Sequence, residues 1–391
     1  MNIERPPHWV VMKFGGTSVS SVDCWKTICG EAARRAGSGQ AVLIVVSALS
    51  GVTNLLTRLA DGADQREKKE IHAELKRRHR RLFEGNQLQA SSRFQAHWVN
   101  LERLLEQAGQ PLSPRKRALL LAHGELLSSS IGEAVLQSAG LKPVWQDARK
   151  LLRTSPKLHG EYLSARCDDD HDPALGDALL KQGEVHITQG FIAADQDGST
   201  CLLGRGGSDT SAAYLAARVG ASALEIWTDV PGIFSADPRT VPDARLLNLL
   251  SYSEAQELAS MGAKVLHPPS IQPARNQGIP VSIKDTQHPS EPGTLISARS
   301  LDDVAQVKGV VSRDNITVIT MDNPSMWHQA GFLADAFAVF KQHGYSVDLV
   351  STSESTVTVS LDPQLSAHGD EIRMAAFLED LGQLCRVTVH T

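Results

Sequence analysis

The 391-residue sequence is poor in aromatic residues, at 5%, and its five cysteines (Cys24, Cys29, Cys167, Cys201 and Cys385) include no CxxC pair. An odd number of scattered thiols indicates neither a disulfide framework nor a zinc site. There is no excess of basic charge. Lys plus Arg total 39 against 44 Asp plus Glu, a net charge of −5, whereas a duplex-binding protein would be basic, so no nucleic acid partner is expected. The longest clean apolar run, residues 41–46, falls far short of the ~20 residues of a membrane helix, so no membrane partner is expected either. The opening MNIERPPHWVV carries no apolar h-region, so no secretory signal is expected. The 14 histidines form no HxxxH or HExxH pattern, and no residue is assigned as a metal ligand. With 41% hydrophobic and 21% charged residues, the chain is not disordered. These exclusions leave a reduced, cytoplasmic, metabolic type of protein.

What is present is a repeated pattern of strand, glycine turn and helix. Residues 10–14 and 41–46 read as buried strands, each followed by a turn and a helical pattern. Residues 144–147, 185–187 and 225–227 read as further strands. Residues 64–140 are helical, with a helix start at Ser113-Pro114. The pattern predicts an α/β fold, a mostly parallel open sheet with helices on both faces. A turn-rich stretch, PSEPG, suggests a boundary, giving domains over 1–293 and 294–391. Beyond it, strands at 316–321, 347–351, 357–361 and 386–389 alternate with helices at 332–343 and 371–381. That order is βαββαβ, the ferredoxin-like α+β unit. The basic run from Lys76 to Arg81 lies beside Glu67, Glu70 and Glu74 and reads as a solvated helix face.

Two glycine loops carry anion chemistry. Lys13-Phe14-Gly15-Gly16-Thr17-Ser18 sits where a strand hands over to a helix. Glycines let the backbone approach a phosphate, a helix start supplies N–H groups, and Lys13 adds a full charge. It is neither a Walker A loop nor a GxGxxG fingerprint, which weakens a nicotinamide dehydrogenase reading. The second loop, from Gly204 to Ser211, packs glycines, Arg205, Asp209 and hydroxyls into one turn. Together they suit a multiply charged anion with a metal. A third segment, from Trp227 to Arg239, follows a strand, where an open α/β sheet lines its crevice.

These motifs together resemble the aspartate kinases of the amino acid kinase family. The resemblance rests on KFGGTS at Lys13, VSALSGVTN at Val46, HGE at His123, GRGGSDTSA at Gly204, WTDVPGIFSADPR at Trp227 and GAKVLHP at Gly262, in this order over essentially the whole chain. It implies transfer of the ATP γ-phosphate to the β-carboxylate of L-aspartate, with Mg²⁺. It assigns catalysis to Lys13 and Asp209, the latter as metal ligand or as orienter. It assigns ATP to Lys13, Gly15, Gly16, Thr17, Thr228, Asp229, Phe234, Arg239, Lys264 and Val265. Phe234 stands where relatives often carry Tyr. Aspartate falls to Ser47, Thr53, Glu125, Arg205, Gly206, Gly207 and Ser208, with Glu125 on the α-ammonium and Arg205 on a carboxylate. Structural roles are the alternative for several: Ser47 as a helix cap, Glu125 as a solvated helix residue, Lys264 as a helix C-terminal cation.

The last segment resembles an ACT domain, an amino-acid-sensing module. VDLVSTSE at Val347 is similar to the pattern of lysine-inhibited aspartate kinases. There Asp348 and Glu354 would meet the ammonium groups of lysine, and the Phe332 and Leu333 amides with Ser353 its carboxylate. Met326 and Thr352 complete the implied effector set. Such relatives form dimers and continue into a second ACT unit, while this sequence ends at Thr391. The expectation is therefore either the kinase portion of a fusion, for example with diaminopimelate decarboxylase, or a differently regulated short kinase, homodimeric in both cases.

Overall fold

Strands Trp9–Phe14 (β1) and Ala41–Val46 (β2) are buried along their whole length. A strand alternates its side chains between two faces, so an unbroken buried run requires a cover on both. Val10, Met12, Phe14, Val42, Ile44 and Val46 enter one core, while Trp9, Val11, Ala41, Leu43 and Val45 enter another. The computed structural model describes residues 8–107, 111–155, 161–262, 265–298, 307–312, 316–326, 330–361 and 370–390. It divides into two compact units, Met1–Val311 and Ser312–Thr391.

In the first unit, β1 leads into α1 (Gly16–Val19) and α2 (Val22–Gly37). After β2 come α3 (Val52–Asp61), α4 (Gln65–Gly85), α5 (Ser92–Gln107) and α6 (Pro114–Ser138). Then follow β3 (Val144–Trp145), α7 (Ala148–Leu151), α8 (Pro173–Leu180), β4 (Val185–Gln189), β5 (Ile192–Ala194), β6 (Thr200–Leu202), α9 (Gly207–Val219) and β7 (Ala223–Thr228). The unit ends with β8 (Leu249–Ser251), α10 (Tyr252–Met261), α11 (Gln272–Asn276), β9 (Val281–Asp285) and β10 (Thr294–Ser297). The eight-stranded sheet has the order β3-β4-β2-β1-β7-β9-β10-β8. Its neighbours are parallel except β9 and β10, which run antiparallel.

Three expectations change. The PSEPG turn does not separate domains: it joins β9 to β10, and β10 extends the large sheet. The units divide at 311 instead of 293. The basic run on α4 is only partly a solvated face. Arg80 pairs with Glu84 at 2.8 Å in solvent, but His79 is buried against Phe94 and Trp98, and burial lowers its pKa to about 4. Finally, α6 reaches the length and apolarity of a membrane span, with mean hydropathy 1.2, yet 83% of that stretch is buried inside the protein. It is a core helix, and its buried serines and Glu125 broke up the apolar run in the sequence.

The second unit comprises β11 (Thr317–Asp322), α12 (Phe332–Gln342), β12 (Val347–Thr352), β13 (Thr356–Leu361), α13 (Asp370–Gly382) and β14 (Arg386–His390). Its four-stranded antiparallel sheet has the order β12-β13-β11-β14, the ferredoxin-like arrangement. Ile319, Met321, Val357 and Val359 from the strands pack with Phe332, Phe340 and Phe377 from the helices. Phe340 and Phe377 meet edge to face with centroids 4.9 Å apart.

Among the described residues, the sheet of the first unit buries two acidic residues, Glu225 in β7 and Asp285 in β9. Glu225 in β7 pairs with Arg35 of α2, accepts from Trp227 Nε1 at 3.1 Å, and lies 3.9 Å from Lys284 Nζ. Removing one partner of a buried pair leaves an uncompensated charge. Arg35→Met is therefore expected to cost about 3 kcal/mol, read as a lower urea midpoint, and Arg35→Met/Glu225→Met to regain part of it.

Candidate active site

The parallel strands β1, β2, β4 and β7 all point their carboxyl ends toward one side of the sheet, where ligands bind in open α/β folds. Lys13 is the penultimate residue of β1 and only 8% exposed. Its Nζ pairs with Asp209 Oδ1 at 2.6 Å. Asp209 lies in the first turn of α9, whose N-cap, Gly206, adopts φ 64. A Cβ on Gly206 would lie 2.6 Å from the Cβ of His267, so both conformation and space demand glycine there.

The loop after β2 forms the facing wall. Ser47 N–H donates to Phe14 O at 3.1 Å, and Ser128 Oγ donates to Ser47 O at 2.6 Å. Ala48 N–H donates to Glu125 Oε1 at 3.1 Å. Glu125 comes from the middle of α6 and is 3% exposed. Its Oε2 has no hydrogen-bond partner among the described residues. Burial raises the Glu125 pKa to about 8, against the lowering effect of the Ala48 N–H. A buried carboxylate with an unused oxygen is an invitation to a cation. His123, two residues earlier, is buried, and its Nδ1–H donates to Leu119 O at 2.9 Å; burial lowers its pKa to about 4.

Between these walls lies a cavity of ≈ 370 Å³, lined by Lys13, Gly16, Ser47, Thr53, Glu125, Gly206, Gly207, Ser208 and Asp209 among others. The cavity thus gathers Lys13, Asp209, Gly16 and all the aspartate candidates except Arg205. Glu125 is not a solvated helix residue. Gly15 departs from expectation, since its N–H donates to Trp227 O at 3.1 Å and is not offered to a phosphate. Thr17 is exposed and Arg205 is exposed, and neither lines the cavity. The charge of Arg205 adds to burial in lowering the His267 pKa, which Asp209 opposes.

The remaining candidates are not among the residues that line this cavity. Thr228 closes β7 and its Oγ1 donates to Asp229 Oδ1 at 3.1 Å. Phe234 is half-buried, Arg239 pairs with Asp237 at 2.7 Å in solvent, and Val265 packs on the second core. Lys264 lies outside the described residues. In the second unit, Phe332 is buried in the core while Leu333 is 43% exposed at the start of α12. Met326 packs partly against that core. Asp348, Thr352, Ser353 and Glu354 are exposed along and just beyond edge strand β12. The register shifts between Val347 and Leu349, which places Asp348 in a β-bulge. Ser353 Oγ is hydrogen-bonded to Thr356 Oγ1 at 2.6 Å.

Phe191 escaped the sequence reading. It lines the cavity with φ 67, a rare conformation for an aromatic residue, and its ring packs on Gly207. Its signal was its position just past the end of β4, at the carboxyl edge of the sheet.

Residues 8–285 match the amino acid kinase family. The chain is 36% identical over 390 residues to lysine-sensitive aspartokinase 3 of Escherichia coli (strain K12), covering 97% of this chain and 84% of that protein. It is 34% identical over 366 residues to a bifunctional aspartokinase/homoserine dehydrogenase of Haemophilus influenzae, covering 90% of this chain and 44% of that protein. The crystal structure of E. coli aspartokinase III in complex with aspartate and ADP matches with a TM-score of 0.81 at 35% identity, over 97% of this chain and 85% of that one. The same enzyme in complex with lysine and aspartate matches with a TM-score of 0.80. The chain belongs to the amino acid kinase family and, within it, to the aspartokinases.

Proposed function

We propose that this chain is an ATP-dependent aspartate kinase. An oxygen of the L-aspartate β-carboxylate attacks the γ-phosphorus, the bond to the β-phosphate oxygen breaks, and 4-phospho-L-aspartate and ADP leave. This is the entry step to lysine, threonine, methionine and diaminopimelate synthesis. One observation carries the reading: a single cavity sets a cation, Lys13, against a buried carboxylate with an unpartnered oxygen, Glu125. A substrate with an ammonium at one end and a phosphoryl acceptor at the other spans that arrangement.

The acceptor is already ionised at neutral pH, so no general base is required. Catalysis is then positioning and charge neutralisation. Lys13, oriented by Asp209, neutralises the transferring phosphoryl group. Gly16 presents backbone close to the phosphates, and the α9 start at Gly206, Gly207 and Ser208 presents backbone to aspartate. Glu125 takes the α-ammonium, Ser47 and Thr53 hydrogen-bond the amino acid, and Arg205 at the rim takes a carboxylate. Thr228, Asp229, Phe234, Arg239, Lys264 and Val265 hold the nucleotide, with Phe234 as a stacking surface. Among the described residues, no group of three His, Cys, Asp or Glu converges. That donor set fits Mg²⁺, which binds through one or two carboxylates plus substrate phosphates instead of an all-protein cage. Asp209 would hold it, and the bound ion would neutralise phosphate charge.

The second unit serves as a lysine sensor. The bulge interrupts the edge strand at Asp348, and Glu354 lies in the bend that joins β12 to β13. The working form is a cytoplasmic homodimer.

Three outcomes test the reading. Aspartate-dependent ADP formation in a coupled assay should fall about 10³-fold in Lys13→Ala; wild-type turnover in that variant would sink the mechanism. The second concerns Glu125, whose pKa of about 8 exceeds its ordinary value of 4.5, so the free enzyme holds this proton at neutral pH. Ammonium binding favours the ionised form, so aspartate binding at pH 7 should release a proton, seen by calorimetry in buffers of different ionisation enthalpy, and aspartate KM should fall as pH rises toward 8. The same raised pKa means that stability present below pH 4.5 is lost as pH rises through about 8; Glu125→Gln should flatten that slope and raise aspartate KM about 100-fold. Third, lysine should inhibit turnover and bind by calorimetry, and Asp348→Ala or Glu354→Ala should abolish both while leaving uninhibited turnover intact.

A further inference from the structure

The basic run on α4, which the function above leaves unused, contains one residue that reaches the edge of the cavity. Arg78 lies over the loop between β2 and α3. Its Nε donates to Glu74 Oε1 at 2.6 Å, and its Nη1 donates to the carbonyl oxygen of Ser50. Gly51 adopts φ +76, and a Cβ there would lie 2.8 Å from Arg78 Nη1. The guanidinium therefore rests directly on the backbone of this loop.

Ser50 is gripped from its other side as well. Its N–H donates to Ser20 Oγ at 2.7 Å, and Ser20 Oγ donates to Gly16 O at 2.6 Å. Gly16 itself abuts the loop, since a Cβ on it would lie 2.9 Å from Ala48 O. Ser50 and Gly51 are exposed, so packing does not hold them in place; these hydrogen bonds do. The loop they fix carries Ser47 and the Ala48 N–H that holds Glu125 Oε1 at 3.1 Å. A continuous series of contacts thus runs from Glu74 through Arg78, Ser50 and Ser20 to Gly16.

The geometry points to Arg78 and Ser20 as positioning residues that clamp the amino-acid side of the cavity to its phosphate side. The clamp rests on the aspartate kinase reading for its purpose. It fixes the separation between the acceptor carboxylate and the phosphoryl group, and a misplacement of about 1 Å in such a separation costs up to about 10²-fold in rate. Neither residue touches a reacting atom.

The test compares the full chain with Arg78→Met, Arg78→Lys, Ser20→Ala and Arg78→Met/Ser20→Ala. Turnover is measured with aspartate and ATP varied separately, alongside hydrogen–deuterium exchange of the segment 47–53. Arg78→Met and Ser20→Ala should each lower kcat about tenfold and raise aspartate KM, with ATP KM held within about twofold. Arg78→Lys should fall between wild type and Arg78→Met, because a lysine keeps the charge but offers one nitrogen where arginine bridges Glu74 and Ser50 O with two. The double variant should lose less than the product of the single losses, since both residues grip Ser50. Exchange at residues 50–52 should quicken in each variant. Single variants with kcat and aspartate KM within about twofold of wild type would overturn the clamp, as would parallel rises in both KM values with a lowered thermal midpoint. If wild type turns over no aspartate, the kinase reading fails on its own; unchanged exchange at 50–52 defeats the clamp whatever the turnover.

Discussion

The ion pair between Lys13 and Asp209 is the join on which the first unit's chemistry depends. Lys13 comes from the first strand and Asp209 from the ninth helix, and 2.6 Å between their charges brings the two glycine turns into one cavity. Everything around the pair serves to keep it in place. β1 sits in the middle of the sheet between β2 and β7, so Lys13 cannot shift without disturbing paired neighbours on both sides. Gly206 admits the approach of His267 and starts α9 at the angle that aims Asp209 inward. The pair is largely buried, with both side chains under a fifth exposed, so its charges are poorly screened and act strongly on an anion brought between the walls.

Much of this was legible in the sequence, for definite reasons. β1 and β2 announce themselves because a doubly covered strand is apolar at every position, and the glycine turns because close backbone approach leaves no other residue. Burial of Glu125 was not legible from periodicity. α6 is enclosed on most sides, so Glu125 and the serines around it are interior with no polar face opposite an apolar one to mark them. The Gly15 amide illustrates the limit of motif chemistry: the glycine is there, but its donor serves the neighbouring strand. Arg78 and Ser20 were illegible because their significance lies in contacts across segments far apart in the chain.

The second unit shows the opposite balance. Strands β11 and β13 alternate, and α12 buries Phe332, Ala336 and Phe340 at helical spacing, so the βαββαβ order could be read almost element by element. The boundary before it could not. A Pro/Gly-rich turn signals reversal of the chain, and a reversal inside a sheet looks the same in sequence as one between domains. Only the pairing of β10 with β8 and β9 assigns that turn to the interior of the first unit.

The backbone of Phe191 shows what such a cavity asks of the rest of the fold. A side chain held at φ 67 sits in a conformation that costs about 1–2 kcal/mol, and nothing in its own chemistry returns that energy. It is kept there by the Leu203 N–H on its carbonyl, at 2.9 Å, and by the backbone of Gly207, to which its own N–H donates at 3.3 Å. The strand ends behind it are therefore under a standing load. The rigidity of the central sheet is the foundation that lets a strained wall stand at the edge of a cavity, and a substitution far from the cavity that loosens those strands would release the wall before it unfolded the protein.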